Sequence, residues 1–398
     1  LRKHKIKASY IVMLPPITSE AGDNYTGDEF VLWNKIYHQD QTPYYYIGFK
    51  QYVKYLYQRL KLTINQTFNE EKTRVIRKNR LKKIFRAIPV KFESFHYITD
   101  HVKIYYGISN IQIYYKENLI YSWRENCPSV SINVVIKKML NPFENRKTRY
   151  IADSIMVTPL GRGNGFNGRS SNFIIQYANR VIWVDPMAEP LLALKRIKLH
   201  WNKITDYFIS HIHEDHIEGL SAILKLALLR NHRINIITTQ KIFNKLNQIF
   251  SFLFPDFLHL VNHINITPES PLPYHQGYLS IRFNHHVLKS GTLGLKVKYK
   301  NNCFALSGDT YYSEEFEKKY PDHPAFSPDW YREAHLVFHE AEFFNKHTSH
   351  TFYTELKKLQ EKVKAPILTY HNSANRFLLP AVKEYKTYII KKEKLYCS

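Results

Sequence analysis

The sequence predicts a layered α/β fold over residues 151–398, preceded by a basic α+β region over residues 1–150. Three observations predict it. Beyond residue 151, short apolar runs of strand length alternate with amphipathic stretches of helix length. The turns between them are rich in Gly, Asp and His. Charge is also uneven: residues 1–150 carry 26 Lys plus Arg against 12 Asp plus Glu, an excess of 14 out of the chain's net +23.

Composition sets the outer bounds. With 398 residues, 44% of them hydrophobic, the chain can bury a sizeable core and fill two or three domains. A charged fraction of 23%, a mean hydropathy of −0.41 and no apolar run approaching about eighteen residues exclude a membrane-spanning helix and a wholly disordered chain. The pI near 9.6 gives a field that attracts polyanions, so nucleic acid is a natural partner. Cys127, Cys303 and Cys397 are odd in number and widely spaced, which argues against a disulfide framework or a four-thiolate zinc site. The opening LRKHKIKASYIVMLPP has too short an apolar stretch for a secretory leader. A reducing, cytoplasmic location is the expectation.

Along the first 150 residues, Lys72, Arg74, Arg77, Lys78, Arg80, Lys82, Lys83, Arg86 and Lys91 form the densest basic run. Val75, Ile76, Leu81, Ile84, Phe85 and Ile88 fall near helical spacing within it, predicting a basic amphipathic helix that ends before Pro89. The following HYITDHVKIYYGISNIQIYYKENLIYSW alternates as strands do. After residue 151, strands are expected at 155–160, 173–177, 181–184, 207–210, 234–238, 279–285, 293–299, 304–307, 336–338 and 367–370. Helices are expected at 218–229 and around 352–363.

Immediately after the apolar strand 207–210 comes HIHEDH, which is His211, Ile212, His213, Glu214, Asp215 and His216. Three imidazoles and Asp215 in one loop cannot all be buried without partners, and His with Asp suits zinc or a similar divalent ion. One loop supplies too few ligands. Later apolar strands also stop at candidate ligands: His285 and His286, then Asp309 after FALSG, then His371 after PILTY. Period-two alternation of Ile281, Phe283 and His285 favours His285, with His286 open. Arg162 and Arg169 flank a loop holding Gly161, Gly163, Gly165 and Gly168, either a phosphate-approaching loop or a flexible rim.

These segments resemble the metallo-β-lactamase superfamily, whose pattern is HxHxDH followed by a His, an Asp and a final His. The resemblance covers roughly residues 155–371 and implies an αββα sandwich. It implies two divalent metal ions, with zinc expected and manganese or iron as alternatives. His211, His213 and the later His would hold one ion, Asp215, His216 and His371 the other, and Asp309 would bridge. LGRG at 160–163, VDPM at 184–187, FHEAEF at 338–343 and HTFYTELKKL from His350 are similar to the phosphodiesterase branch that includes tRNase Z. By that likeness His350 is a proton donor, Glu340 orients it, His339 supports it and Asp215 helps hold the attacking water. The expected activity is metal-dependent phosphodiester hydrolysis, with an RNA endonuclease first. A small-substrate phosphodiesterase acting on a cyclic nucleotide or phospholipid headgroup is the alternative, and an inactive binding protein the third. Relatives commonly dimerise, so the resemblance also brings a homodimer as an expectation.

Overall fold

A computed structural model describes residues 10–13, 43–66, 81–91, 93–107, 110–124, 151–164, 169–187, 190–286, 291–343, 350–371, 379–391 and 394–397. Lys72, Arg74, Arg77, Lys78, Arg80, Cys127, Gly165 and Gly168 lie outside these residues.

The chain from residue 151 builds two sheets packed face to face. The first runs in the order Val261–Asn265, Ile234–Thr238, Asp206–Phe208, Arg180–Val184, Asn172–Tyr177, Ile155–Gly161, Tyr388–Lys391 and Lys394–Cys397. Its first four members are mutually parallel and the others pair antiparallel. The second runs Leu272–Tyr274, Gly277–Phe283, Leu293–Tyr299, Asn302–Leu306, Leu336–Glu340 and Ile367–Tyr370. Every residue of Ile155–Gly161 and of Leu336–Glu340 is buried, as expected of strands covered on both faces.

Phe338 stands at the seam between the sheets, its ring centre 5.5 Å from Phe173, 5.1 Å from Phe304 and 5.3 Å from Tyr388. Truncating such a side chain to Ala removes about 3–5 kcal/mol of stability. Helices Leu220–Leu229 and Gln240–Phe250 bury apolar faces in the core beside the first sheet, while Tyr353–Lys362 puts Leu356 and Leu359 with Val337 and Ile367 outside the second. The αββα layering expected of the sequence is present. The sequence reading missed the helix Gln240–Phe250, the edge strand Val261–Asn265 and the C-terminal hairpin, whose Tyr388–Lys391 pairs with the first strand of the sandwich. No described helix is long and apolar enough to cross a membrane.

Ahead of the sandwich, Tyr10–Met13, Tyr44–Phe49 and Phe85–Val90 pair in parallel, and helix Lys50–Gln66 makes the crossover between the last two. A four-stranded antiparallel meander follows at Ser94–Thr99, Val102–Tyr106, Asn110–Tyr115 and Asn118–Arg124. The expected basic helix is corrected only at its end, since its stretch before residue 81 lies outside the described residues. Helical backbone covers residues 81–84, and the chain then becomes a strand from Phe85. Tertiary pairing overrides the helical spacing: Phe85 stacks on Tyr46 at 4.1 Å between ring centres. Pro89 is tolerated because this strand is an edge of its sheet among the described residues.

Candidate metal centre

The site forms where strands of both sheets end. Asp185, at φ +50, follows the strand Arg180–Val184 and organises the HIHEDH loop before that loop meets anything else. The Ser210 amide and hydroxyl both donate to Asp185, at 2.8 and 2.6 Å. Asp185 Oδ2 lies 2.9 Å from His216 Nδ1, and Ser210 Oγ lies 2.9 Å from His211 Nδ1. The far nitrogens of these rings are thereby turned to a common point. His213 caps the short helix Glu214–Ile217, and its Nδ1 lies 3.0 Å from His211 Nε2.

Asp309 arrives from the second sheet. Gly308 before it sits at φ +64, and a Cβ there would meet the Leu293 carbonyl oxygen at 2.1 Å, so only glycine fits the turn. Thr292 Oγ1 and Asn284 Nδ2 donate to the Asp309 carbonyl and fix its backbone. Its Oδ2 then lies 3.7 Å from His211 Nε2, 3.4 Å from His216 Nε2 and 3.5 Å from His371 Nε2. His371 follows Ile367–Tyr370 in the left-handed region, φ +63, and its Nε2 is also 3.4 Å from Asp215 Oδ2. Two groups of donor atoms form around the HIHEDH loop, His211 with His213 and Asp309, and Asp215 with His216 and His371, and a third joins Asp309 and His371 to Glu340 and His350.

Of the two candidates for the middle histidine, it is His286 that faces the cluster, against the preference for His285. The His286 ring centre lies 5.8 Å from His211 and 5.2 Å from His213. His285 is exposed and packs among Tyr311, Phe316, His323 and Phe326. Alternation misled because the strand ends at Phe283, and side chains beyond that point no longer follow the pleat.

The donor set fits divalent metal on two counts. His216 Nε2, both ring nitrogens of His286 and Asp309 Oδ1 are buried without a hydrogen-bond partner, an arrangement costly for polar atoms unless something coordinates them. The protonation states also suit. Burial pushes His211 and His286 well below the ordinary histidine value and His213 down to about 4, leaving neutral imidazoles. Burial opposes ionisation of Asp215 and Asp309, but the surrounding histidines outweigh it and hold both well below the usual carboxylate range. Neutral imidazole and ionised carboxylate are the metal-binding forms. His216 goes the other way: burial disfavours its charge, yet Asp215, Asp309 and Asp185 raise it well above the ordinary value. That same carboxylate field favours a bound cation.

Beside this cluster the part-buried His350 and the fully buried Glu340 form a hydrogen-bonded pair through Nδ1 and Oε2. The Thr310 amide donates to the other oxygen of Glu340, and Thr351 Oγ1, donating to the Thr310 carbonyl at 2.8 Å, braces the arrangement. The His350 ring lies 4.9 Å from His371 and 5.4 Å from His286. Burial disfavours its charge, but Glu340, with Asp309 and Asp215, raises it to about 9. His339 does not join them, contrary to its expected supporting role. Successive side chains of a strand face opposite ways, so Glu340 shares the inner face with Phe338 while His339 shares the outer face with Val337. There it lies 5.6 Å from the Tyr331 ring, and burial lowers it to about 3.

Of the glycine loop, Arg169 donates to the Tyr385 hydroxyl at 2.9 Å, and a Cβ on Gly161 would meet the Ser170 carbonyl at 2.2 Å. Gly161 therefore serves the close approach of two backbone strands. Asp185 was the functional residue the sequence reading passed over, although it stands in the VDPM segment at a strand end.

Two sheets, outer helices and a rim of His and Asp gathered from strand ends define a hydrolase of the metallo-β-lactamase fold. Within that class the chain belongs to the family described as "Anti-Pycsar protein Apyc1", whose model matches residues 155–396. A search of curated proteins returns no match. Similar solved structures include the metallo-beta-lactamase fold protein YhfI from Bacillus subtilis, 16% identical, covering 60% of this chain and 100% of that one at a TM-score of 0.49. Human tRNase Z, short form, is 16% identical over 58% of this chain and 98% of that one, TM-score 0.46. A long form RNase Z from yeast is 12% identical over 94% of this chain and 66% of that one, TM-score 0.43.

Proposed function

We propose that the chain is a metal-dependent phosphodiesterase that opens a cyclic nucleotide. The observation carrying the hydrolytic reading is Asp309 Oδ2, which sits within 3.7 Å of a nitrogen on each of His211, His216 and His371 and so joins the two donor groups. The family description supports the substrate class, since it points to cyclic nucleotide hydrolysis.

In this reading His211, His213, His286 and Asp309 would hold one divalent ion, and Asp215, His216 and His371 with Asp309 the other, with zinc the proposed metal. Such a pair would supply an activated water and neutralise charge on the phosphate oxygens. Asp215 orients the attacking water. His350 delivers a proton from Nε2 to the nucleotide oxygen that leaves phosphorus, while Glu340 holds Nδ1 and fixes the ring. One of the two P–O bonds to the ribose breaks, its oxygen taking the proton, one P–O bond forms to the water oxygen, and the product is a nucleoside monophosphate.

RNA cleavage is the second reading, favoured by the basic first 150 residues and by one surface. On the N-terminal meander Phe95 and Tyr97 are 49% and 68% exposed, and Lys103 Nζ stands 4.9 Å from the Phe95 ring centre. Exposed aromatics beside cations suit base stacking. The deciding experiment measures turnover of purine and pyrimidine 3′,5′-cyclic mononucleotides, a precursor tRNA and bis(p-nitrophenyl) phosphate by full-length protein loaded with zinc or manganese. Cyclic-nucleotide opening that His213→Ala abolishes is the expected result. Site-specific RNA cleavage with cyclic nucleotides left intact would replace the first reading by the second.

A further inference from the structure

The helix Lys50–Gln66 divides its side chains between two cores. Val53, Leu56 and Leu60 pack into the cluster of the N-terminal sheet with Tyr46 and Phe85. Tyr55, four residues before Arg59 and so on the same helix face, belongs instead to the core of the sandwich, its ring centre 6.2 Å from Phe250. Arg59 donates to the Tyr55 hydroxyl at 3.2 Å and pairs with Glu214, Nη2 to Oε1, at 3.3 Å. Both partners are sealed from solvent, at 2% and 1% exposure.

Glu214 is the residue between His213 and Asp215. A carboxylate there cannot be buried cheaply without a counter-charge, and its counter-charge comes from a helix some 155 residues earlier in the chain. Arginine suits this better than lysine because one guanidinium reaches two partners at once, Nη1 to the Tyr55 hydroxyl and Nη2 to Glu214.

We propose that Arg59 is a positioning residue for the metal centre: by pinning Glu214 it fixes the placement of His213 and Asp215 on either side. The N-terminal region thereby completes the site. This rests on the reading of the HIHEDH loop as metal-binding.

The test titrates metal-free full-length protein with cobalt and, by chelator competition, with zinc, reading the visible cobalt spectrum, the affinity and Tm. Arg59→Met weakens metal binding by about 10- to 100-fold, the usual loss when a residue orienting a ligand is removed, and Arg59→Lys recovers part of it. Because Arg59→Met strands a buried carboxylate and could unfold the chain, the double variant Arg59→Met/Glu214→Met removes both charges. Its Tm returns towards that of the parent while its affinity stays low. Tyr46→Leu, a cavity in the N-terminal cluster, lowers Tm with affinity unchanged. Parental affinity in a folded Arg59→Met protein or in the double variant overturns the inference alone. A parental protein that takes up no metal overturns the metal reading, and this inference with it.

Discussion

Two adjacent histidines land in opposite environments. His286 meets His211, His213 and His350 in a pocket lined by ionised carboxylates, with both ring nitrogens buried and unbonded. His285 turns outward to Phe316, Phe326 and His323, where burial and the neighbouring His323 lower its basicity. A single step of backbone separates a candidate ligand from an aromatic packing residue. The difference teaches that histidine density marks a region, whereas unpartnered nitrogen facing carboxylate marks the site.

This contrast is open to breakage by substitution. The largest effect belongs to His213→Ala, which removes a ligand from the first donor group; metal analysis and turnover both fall to background. His350→Ala comes next, lowering kcat by about 10²- to 10⁴-fold while bound metal per chain stays at the parental level. Loss of metal in that variant would make His350 structural. Asp185→Asn keeps the side chain's shape but weakens its hold on Ser210 and His216, so zinc affinity drops by about 10- to 100-fold, read by chelator competition. His285→Ala sits at the bottom of the scale, costing about 0.5–1.5 kcal/mol of ring packing and leaving metal content alone. A metal defect in His285→Ala would erase the distinction between the two neighbours.

Much of this was legible in the sequence where chemistry and period coincide. Strands such as Ile155–Gly161 and Leu336–Glu340 announce themselves as apolar runs, and His211, Asp309 and His371 stand where such runs stop. His339 was legible too, since period two puts it opposite Glu340, but motif likeness obscured the pleat. The identity of the middle histidine was not, because irregular backbone after Phe283 carries no period. Nor was Phe85–Val90 as a strand, whose pairing with Tyr44–Phe49 is decided by a partner some forty residues away. The Arg59–Glu214 pair has no local signal at all: a buried ion pair between distant segments exists only once both are folded.

His286, with Asp309 between two donor groups, completes the proposed two-metal centre. Metal stoichiometry by elemental analysis, on the full chain reconstituted with zinc and compared with His286→Ala and His285→Ala, tests it most directly. Two ions per chain are expected in the parent and in His285→Ala, with His286→Ala losing one or both. Two ions retained in His286→Ala, or none in the parent, would contradict it.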